Sequence, residues 1–124
     1  MSRTKSEAGG DRAYFLRASR DIEYVKQHGR RVSSTLFNLL VCPFEADACR
    51  VGIIVGKRFG IAVRRNRAKR LFRELTRHVR KELNSGYAVL VFPKREALGV
   101  TYGELRDTWL GTLKRLGIVR VGKP

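Results

Sequence analysis

The residues with the clearest chemical capacity are cations that crowd into one segment of the chain. Between Lys57 and Lys81 lie eleven Lys and Arg residues and one acid, Glu74, a net +10 of the chain's formal +16. An Arg guanidinium grips phosphate oxygens with two hydrogen bonds and stacks on bases, which a Lys ammonium does not do. Charge of this density indicates a polyanionic partner, either a nucleic acid or an anionic membrane surface.

A helical projection separates these cations from an apolar face. At about 100° per residue, one sector collects Ala68, Leu71, Phe72, Leu75, Val79 and Leu83. The opposite sector, called the basic stripe below, holds no acid and collects Asn66, Lys69, Arg70, Arg73, Arg77, Arg80 and Lys81. Like charges four residues apart destabilise a helix by a few tenths of a kcal/mol each. We therefore interpret the stripe as a polyanion-binding surface; the alternative is a merely solvated basic face.

A glycine-bounded loop precedes the basic helix. Gly56 and Gly60 bracket Lys57–Phe59, so a tight turn projects two cations and an aromatic ring. Phe59 either stacks on a base or is buried in the core. Asn66 either caps the helix start or hydrogen-bonds a base edge or a 2′-hydroxyl. The loop matches neither the Walker phosphate-binding motif nor the dinucleotide-binding glycine fingerprint.

The sequence offers little for catalysis or metal binding. His28 and His78 are isolated, and the carboxylates are few and scattered. Cys42 and Cys49 lie seven residues apart without further cysteines, which does not match a zinc site. We expect reduced, partly buried thiols, the alternative being a bridge between neighbouring strands. No catalytic residue is assigned, and we expect another molecule to supply the chemistry of any reaction.

The length of 124 residues fits one domain. We expect a flexible basic arm over residues 1–13, a single α/β domain over 14–119 and a short tail over 120–124. No apolar run approaches the ~18 residues of a membrane span, and the first residues lack the apolar core of a secretory signal. These observations predict a cytoplasmic protein.

Apolar periodicity and end signals predict the elements. A first helix covers residues 20–28, with Ser19 as N-cap and Gly29 as its left-handed end. Strands over 36–42 and 50–56 are predicted to form an antiparallel hairpin, with a further short strand near 31–35. Gly52 and Gly56 are expected to let another group approach one strand face closely, a helix in preference to a ligand. After the basic helix come a central strand over 87–92 and a last helix, which a capping box of Thr101 and Glu104 opens. The class is an α/β (α+β) two-layer sandwich in the order α-β-β-(β)-α-β-α.

The segment from Val51 to Glu74 resembles the signature of the bacterial ribonuclease P protein subunit. The centre of the resemblance is Arg65-Asn66-Arg67, followed by Lys69-Arg70 and Arg73-Glu74, and the other predicted elements fall in the family's order. The resemblance implies a fold shared with a domain of a small-subunit ribosomal protein. It also implies a left-handed βαβ crossover through the basic helix, against a rule obeyed in about 98% of cases.

The resemblance further implies a function. The family's holoenzyme removes the 5′ leader from precursor tRNA, and its RNA subunit performs the hydrolysis with magnesium that the RNA mainly holds. The implied partners are this catalytic RNA and the leader, with no membrane and no protein partner required. By matched position, and with Arg77 added from the basic stripe, the RNA-binding residues are Lys57, Arg58, Arg65, Asn66, Arg67, Lys69, Arg70, Arg73 and Arg77.

A cleft between the first helix and the sheet is implied to bind the leader. Where the family carries aromatic rings, this chain has Ile22, Lys26 and Leu40, so we expect a ring from Phe15, Tyr24 or Phe37. The candidate cleft residues are Phe15, Ile22, Lys26, Phe37 and Leu40. A ribosomal or other structural RNA-binding protein is the alternative function, and a helix on a membrane surface is a third.

Overall fold

Four strands form one mixed sheet in the computed structural model, which describes residues 15–46 and 48–119. The strands are β1 (Arg30–Ser33), β2 (Phe37–Pro43), β3 (Arg50–Ile53) and β4 (Tyr87–Pro93), in the order β1-β2-β4-β3 across the sheet. β2 runs antiparallel to β1 and β4, whereas β3 is parallel to β4. The predicted arm over 1–13 and tail over 120–124 lie outside the described residues. The extra short strand predicted near 31–35 is confirmed as β1.

The predicted hairpin between the second and third strands is wrong. β4 lies between β2 and β3 and pairs with both. Its central residues, from Ala88 to Val91, are all buried, and such a strand needs a neighbour on each edge and cover on both faces. A direct β2–β3 pairing would leave one edge of this apolar strand without a partner. β3 also ends at Ile53, earlier than predicted, although the Ile54 N–H still donates to the Val91 carbonyl at 2.9 Å.

Three α-helices accompany the sheet within the described residues: α1 (Ser19–His28), α2 (Ala62–Val79) and α3 (Tyr102–Arg115). Single 3-10 turns lie at Lys57–Phe59, Arg80–Glu82 and Arg95–Gly99. The capping box of α3 is confirmed, because the Thr101 hydroxyl accepts from the Glu104 N–H and the Glu104 carboxylate accepts from the Thr101 N–H, both at 3.1 Å. The predicted α+β class is confirmed as well.

Both predicted ends of α1 are wrong. The N-cap is Ala18, which offers no side-chain acceptor, and Ser19 is already helical. Gly29 has φ −75° and ψ 149°, an extended and not a left-handed conformation. A glycine is needed there for space: a Cβ at this position would lie 2.6 Å from the Val25 carbonyl oxygen and 3.1 Å from the Leu40 Cβ.

α2 and α3 cover one face of the sheet and enclose the larger core. Phe37 of β2, Phe72 of α2 and Trp109 of α3 meet edge to face, with ring centroids 5.5–5.8 Å apart. Aromatic rings in this arrangement add about 0.5–1.5 kcal/mol per pair beyond their burial. The same face of the sheet contributes Leu39, Val41, Val51, Val89 and Val91.

α1 packs on the opposite face, over Cys42, Ala88 and Leu90. An extended segment at Leu16 joins this layer, since the Leu16 N–H donates to the Val51 carbonyl at 2.8 Å. The prediction that a helix packs against Gly52 and Gly56 is therefore wrong. A Cβ on Gly52 would meet Leu90 at 2.7 Å and Leu16 at 3.4 Å, whereas Gly56 has nothing within 4 Å.

α2 connects two parallel neighbours, β3 and β4, so it is the crossover helix of a βαβ unit. The left hand of this crossover stays a prediction.

Candidate nucleic-acid interface

The apolar side of α2 faces the core as the projection predicted. Ala68, Phe72, Leu75 and Val79 are buried. The projection missed Thr76, which is also buried and donates its hydroxyl to the Phe72 carbonyl at 2.8 Å. Because the hydroxyl is satisfied by the helix's own backbone, a threonine is tolerated among apolar neighbours.

The basic stripe faces outward. Asn66, Arg70, Arg73, Arg77 and Lys81 are exposed, and Lys69 and Arg80 are partly buried. Within the described residues, Lys69, Arg70 and Arg73 form no ion pair with an acid. The one acid of the helix, Glu74, contacts Arg77 at 3.6 Å and His78 at 3.2 Å. The middle of the stripe therefore carries unneutralised positive charge.

The start of α2 adds to this positive potential. Its N-cap, Ile61, provides no side-chain acceptor, and the first turn has no acid. Exposed Arg64 and partly buried Arg65 lie in that turn instead. Cations near a helix N-terminus oppose the helix dipole, at about 0.3–1 kcal/mol each. The first turn is thus less stable than it would be with acids, but it places cations beside free backbone N–H groups. This arrangement suits the binding of a phosphate.

The loop before α2 holds Lys57 and Arg58 at the surface. Phe59 is 7% exposed, so of its two predicted roles burial in the core is confirmed and stacking on a base is wrong. Gly60 adopts φ 148° and ψ −162°, a region essentially restricted to glycine. Arg65 donates from Nη1 to the Gly60 carbonyl at 2.6 Å. Arg65 therefore fixes the loop, and its predicted RNA contact, which stays a prediction, would use its remaining donors.

Two exposed apolar residues follow this loop and were not predicted. Ile61 is 67% exposed and Val63 is 72% exposed. Val63 shares a surface groove with Leu71, three cations and the one acid of α2; these are Arg67, Arg70, Arg77 and Glu74. Apolar surface beside cations fits the mixed chemistry of a nucleotide, which has an anionic backbone and flat apolar faces.

Of the candidate cleft residues, Phe37 is wrong. It is 0% exposed and packs against Phe72 and Trp109 in the larger core. Side chains alternate along a strand, and Phe37 belongs to the face that α2 and α3 cover. It cannot contact a ligand on the opposite face.

Phe15 and Tyr24 lie apart from the predicted cleft. Phe15 forms a parallel bridge with Val51 at the outer edge of β3 and lines a groove of about 380 Å³ with Arg73 and Arg77. Tyr24 is 46% exposed. The centroid of its ring lies 4.3 Å from that of His28 and 6.3 Å from that of Phe44. Neither ring belongs to the group formed by Ile22 and Leu40.

An open part of the sheet remains beside α1. We define the open face as Asn38, Leu40 and Phe92 of the sheet together with Ile54, which directly follows β3. Ile22 and Lys26 of α1 border it. Lys26 is exposed and the other five are partly buried. The predicted residues Ile22, Lys26 and Leu40 thus border or line one surface. Sequence reasoning missed Phe92; its one signal was the alternation that sets Phe92 on the same side as Ala88 and Leu90.

The cysteines and acids of the described residues form neither an activated thiol nor a metal cluster. Cys42 and Cys49 are free and buried, and burial raises the pKa of the Cys49 thiol to about 12, so a nucleophilic thiolate is disfavoured. No cluster of three His, Cys, Asp or Glu residues that could hold a metal occurs in the described ranges. Within these ranges, no helix has the length and apolar character of a membrane span.

Comparison with known proteins supplies the deciding observation. A family model described as Ribonuclease P matches residues 11–117 of the chain. The chain belongs to the ribonuclease P protein family. The matched range includes the basic stripe, the glycine-bounded loop and the open face.

Individual members of the family are also similar to this chain. The chain is 36% identical over 106 residues to the ribonuclease P protein component of Chloroflexus aurantiacus, covering 84% of this chain and 78% of that protein. It is 43% identical over 79 residues to the component of Chloroflexus aggregans, covering 64% of this chain and 58% of that protein. The ribonuclease P protein structure from Thermotoga maritima superposes with a TM-score of 0.72 at 31% identity, over 81% of this chain and 94% of that one.

Proposed function

We propose that this chain is the RNA-binding protein subunit of ribonuclease P. It assists a catalytic RNA in the endonucleolytic removal of the 5′ leader from precursor tRNA. The observation that carries the proposal is the outward-facing, acid-free basic stripe on the helix that holds Arg65-Asn66-Arg67, within a chain of this family. The site of action we infer is the bacterial cytoplasm, where precursor tRNA is made.

The basic stripe and the preceding loop are the proposed contact with the catalytic RNA. Lys57 and Arg58 extend the line of exposed cations beyond the start of α2. Among the described residues Arg70 and Arg73 have no ion-pair partner, so their donors are available for phosphates. A phosphate backbone along the stripe would remove the repulsion between Lys69, Arg73 and Arg77 and release condensed counterions from the RNA. Such a contact positions the protein without reading sequence.

The open face is the proposed contact with the leader. Single-stranded RNA binds to surfaces that combine apolar or aromatic floors with nearby cations. Leu40, Ile54 and Phe92 provide the floor, and exposed Lys26 on α1 provides a cation at its border. Separation of this face from the basic stripe by the thickness of the sheet would let one protein hold the catalytic RNA and the leader together.

Magnesium does not fit the described residues of this chain. Magnesium prefers carboxylate and phosphate oxygens, and the described residues contain no cluster of acids that could hold it. Glu74, the acid of the basic helix, is engaged with Arg77 and His78. We therefore assign magnesium to the RNA subunit. The protein's cations would act beside it by neutralising phosphates, which reduces the magnesium needed to hold the RNA in its active form.

The proposal is tested by cleavage of precursor tRNA over a range of magnesium concentrations. Three mixtures are compared: the catalytic RNA alone, the RNA with this protein, and the protein alone. We expect no cleavage by the protein alone, and a lower magnesium requirement with tighter substrate binding when RNA and protein are combined. RNA-only kinetics that stay unchanged on addition of the protein would refute the proposal. Co-purification with ribosomes in place of one long non-coding RNA would favour a structural ribosomal role.

A further inference from the structure

Asn38, the polar residue of the open face, has a side-chain amide without a partner among the described residues. Its Oδ1 is buried and accepts no hydrogen bond, and no described residue accepts from its Nδ2. A buried polar atom without a partner destabilises a fold and is uncommon in proteins. β-Branched residues suit a strand in this position better than asparagine. The folded chain by itself therefore gives no reason for an amide here.

Phe92 lies beside Asn38 on the same face of the sheet. The two residues are direct partners in the antiparallel register of β2 and β4, where opposing Cβ atoms lie about 4.5–5.5 Å apart. Their chain neighbours Phe37 and Val91 are buried in the larger core, so alternation turns Asn38 and Phe92 to the open face. The Phe92 ring is partly buried and makes no contact with another aromatic ring in the described chain.

A ring beside an amide is the combination that recognises an unpaired base. A ring stacks on any base, since every base has a π-face. An amide offers a donor and an acceptor side by side, which can pair with a base edge that presents the complementary groups. Rotation about the last torsion of Asn is broad, so Oδ1 can turn outward when a donor arrives. Exposed Lys26, and Arg31 opposite Leu40 on β1, supply cations for the adjoining phosphates.

We propose that Asn38 and Phe92 form a recognition site for one unpaired base of the leader. Phe92 stacks on the base, and the Asn38 amide selects its identity through the base edge. The inference rests on the proposed leader contact and adds a base-selecting residue to it. It also accounts for the aliphatic and charged residues at 22, 26 and 40, because β4 supplies the ring in their place.

The test uses the full chain reconstituted with its catalytic RNA. Binding is measured for precursor tRNAs whose leaders carry each of the four bases, or an abasic nucleotide, at successive positions, and for the matched mature tRNA without a leader. The variants are Asn38→Val and Phe92→Leu. The matched control is Phe44→Leu, because Phe44 is another partly buried ring of the same layer that faces Tyr24 and not the open face.

For the unaltered protein we expect one leader position at which the bases differ in affinity by roughly tenfold. Asn38→Val abolishes this preference while thermal stability stays the same or rises. Phe92→Leu lowers affinity for every base at that position by roughly tenfold. The abasic nucleotide weakens binding to the unaltered protein more than it weakens binding to Phe92→Leu, because the variant has already lost stacking and keeps only the Asn38 contact. Neither Asn38→Val nor Phe92→Leu changes the binding of mature tRNA. Phe44→Leu binds each precursor tRNA as the unaltered protein does.

Three outcomes would overturn the inference. If the leader strengthens binding but neither variant changes the base dependence, the recognition site is wrong and the proposed function stands. If Asn38→Val lowers stability and leaves a base preference intact, Asn38 is structural. If the leader adds nothing to the affinity of the unaltered protein, the proposed leader contact fails and the recognition site fails with it.

Discussion

Gly60 is the single residue on which the shape of the cationic loop most depends. Glycine adopts its φ of 148° without strain. Another residue at this position would be strained by about 1–3 kcal/mol. The carbonyl of the same residue accepts the hydrogen bond from Arg65, so backbone conformation and guanidinium contact act on one peptide. The position of Lys57 and Arg58 relative to α2 follows from this pair of constraints.

We therefore predict that Gly60→Ala lowers the free energy of unfolding by about 1–3 kcal/mol. Gly56→Ala is the matched control, since Gly56 has φ −87° and no atom lies within 4 Å of its added Cβ; it should be neutral or stabilise by up to about 1 kcal/mol. Urea unfolding of both variants measures the difference. Equal stability of the two variants would show that the loop relaxes without strain.

At the scale of the element, α2 combines a core-forming side with a side that lowers its own stability. Arg73 stands four residues from both Lys69 and Arg77, so like charges lie about one turn apart along the helix. A helix selected for stability alone would alternate acids with these cations. The charge on α2 is therefore better explained by binding than by folding.

We predict that Arg70→Ala with Arg73→Ala separates the two roles of α2. The log–log salt dependence of binding to the catalytic RNA should flatten by about 0.7–0.9 for each phosphate that the variant no longer binds. Stability should stay equal or rise by a few tenths of a kcal/mol, because repulsion falls and Ala favours helix. Titrations at several salt concentrations and thermal unfolding measure both.

Arg95→Ala is the control for that pair, since Arg95 is an exposed cation outside α2. It should leave the salt dependence of RNA binding unchanged. A double variant with an unaltered salt slope and a lower melting temperature would mean that the faces of α2 are assigned wrongly.

At the scale of the whole molecule, local patterns were predictable and pairings across the chain were not. The two sides of α2 and the capping box of α3 follow from spacing within a few turns, and the structure confirms both. The order of the strands depends on competition between distant segments. β2 and β3 look like a hairpin by proximity, but β4 is apolar on both faces and takes the position between them.

The candidate site was likewise predictable where its pattern lies within one segment and not where it depends on distant segments. The cations of the basic stripe could be predicted because their charge and their helical period both lie within one segment. The aromatic residue of the open face could not, because Phe37 and Phe92 are both strand residues. Which of them faces the core depends on how β2 and β4 alternate against α2, α3 and α1. The pairing of Asn38 with Phe92 likewise requires the register.

Stability of the whole molecule should fall at alkaline pH because of Cys49. The residue is fully buried, and its burial raises the pKa of the thiol from 9.0 to about 12, against a smaller opposing effect of the Arg50 cation. Below pH 9 the Cys49 thiol is protonated in both the folded and the unfolded protein, so it does not change stability. Between these values the unfolded state releases the proton and the folded state keeps it. Each pH unit in that window therefore removes about 1 kcal/mol from the free energy of unfolding.

We predict that Cys49→Val, which cannot titrate, escapes this loss. Because Val is close to Cys in size, the variant should keep the larger core, to which Cys49 belongs, filled. Urea unfolding of the unaltered protein and the variant at pH 7.5 and pH 10 measures the free energy of each. The stability of the unaltered protein relative to Cys49→Val should drop by about 1 kcal/mol between the two pH values. All other titratable groups are common to both proteins, so their effects cancel in the comparison. Parallel pH profiles would mean that the buried thiol ionises without opposition from the core.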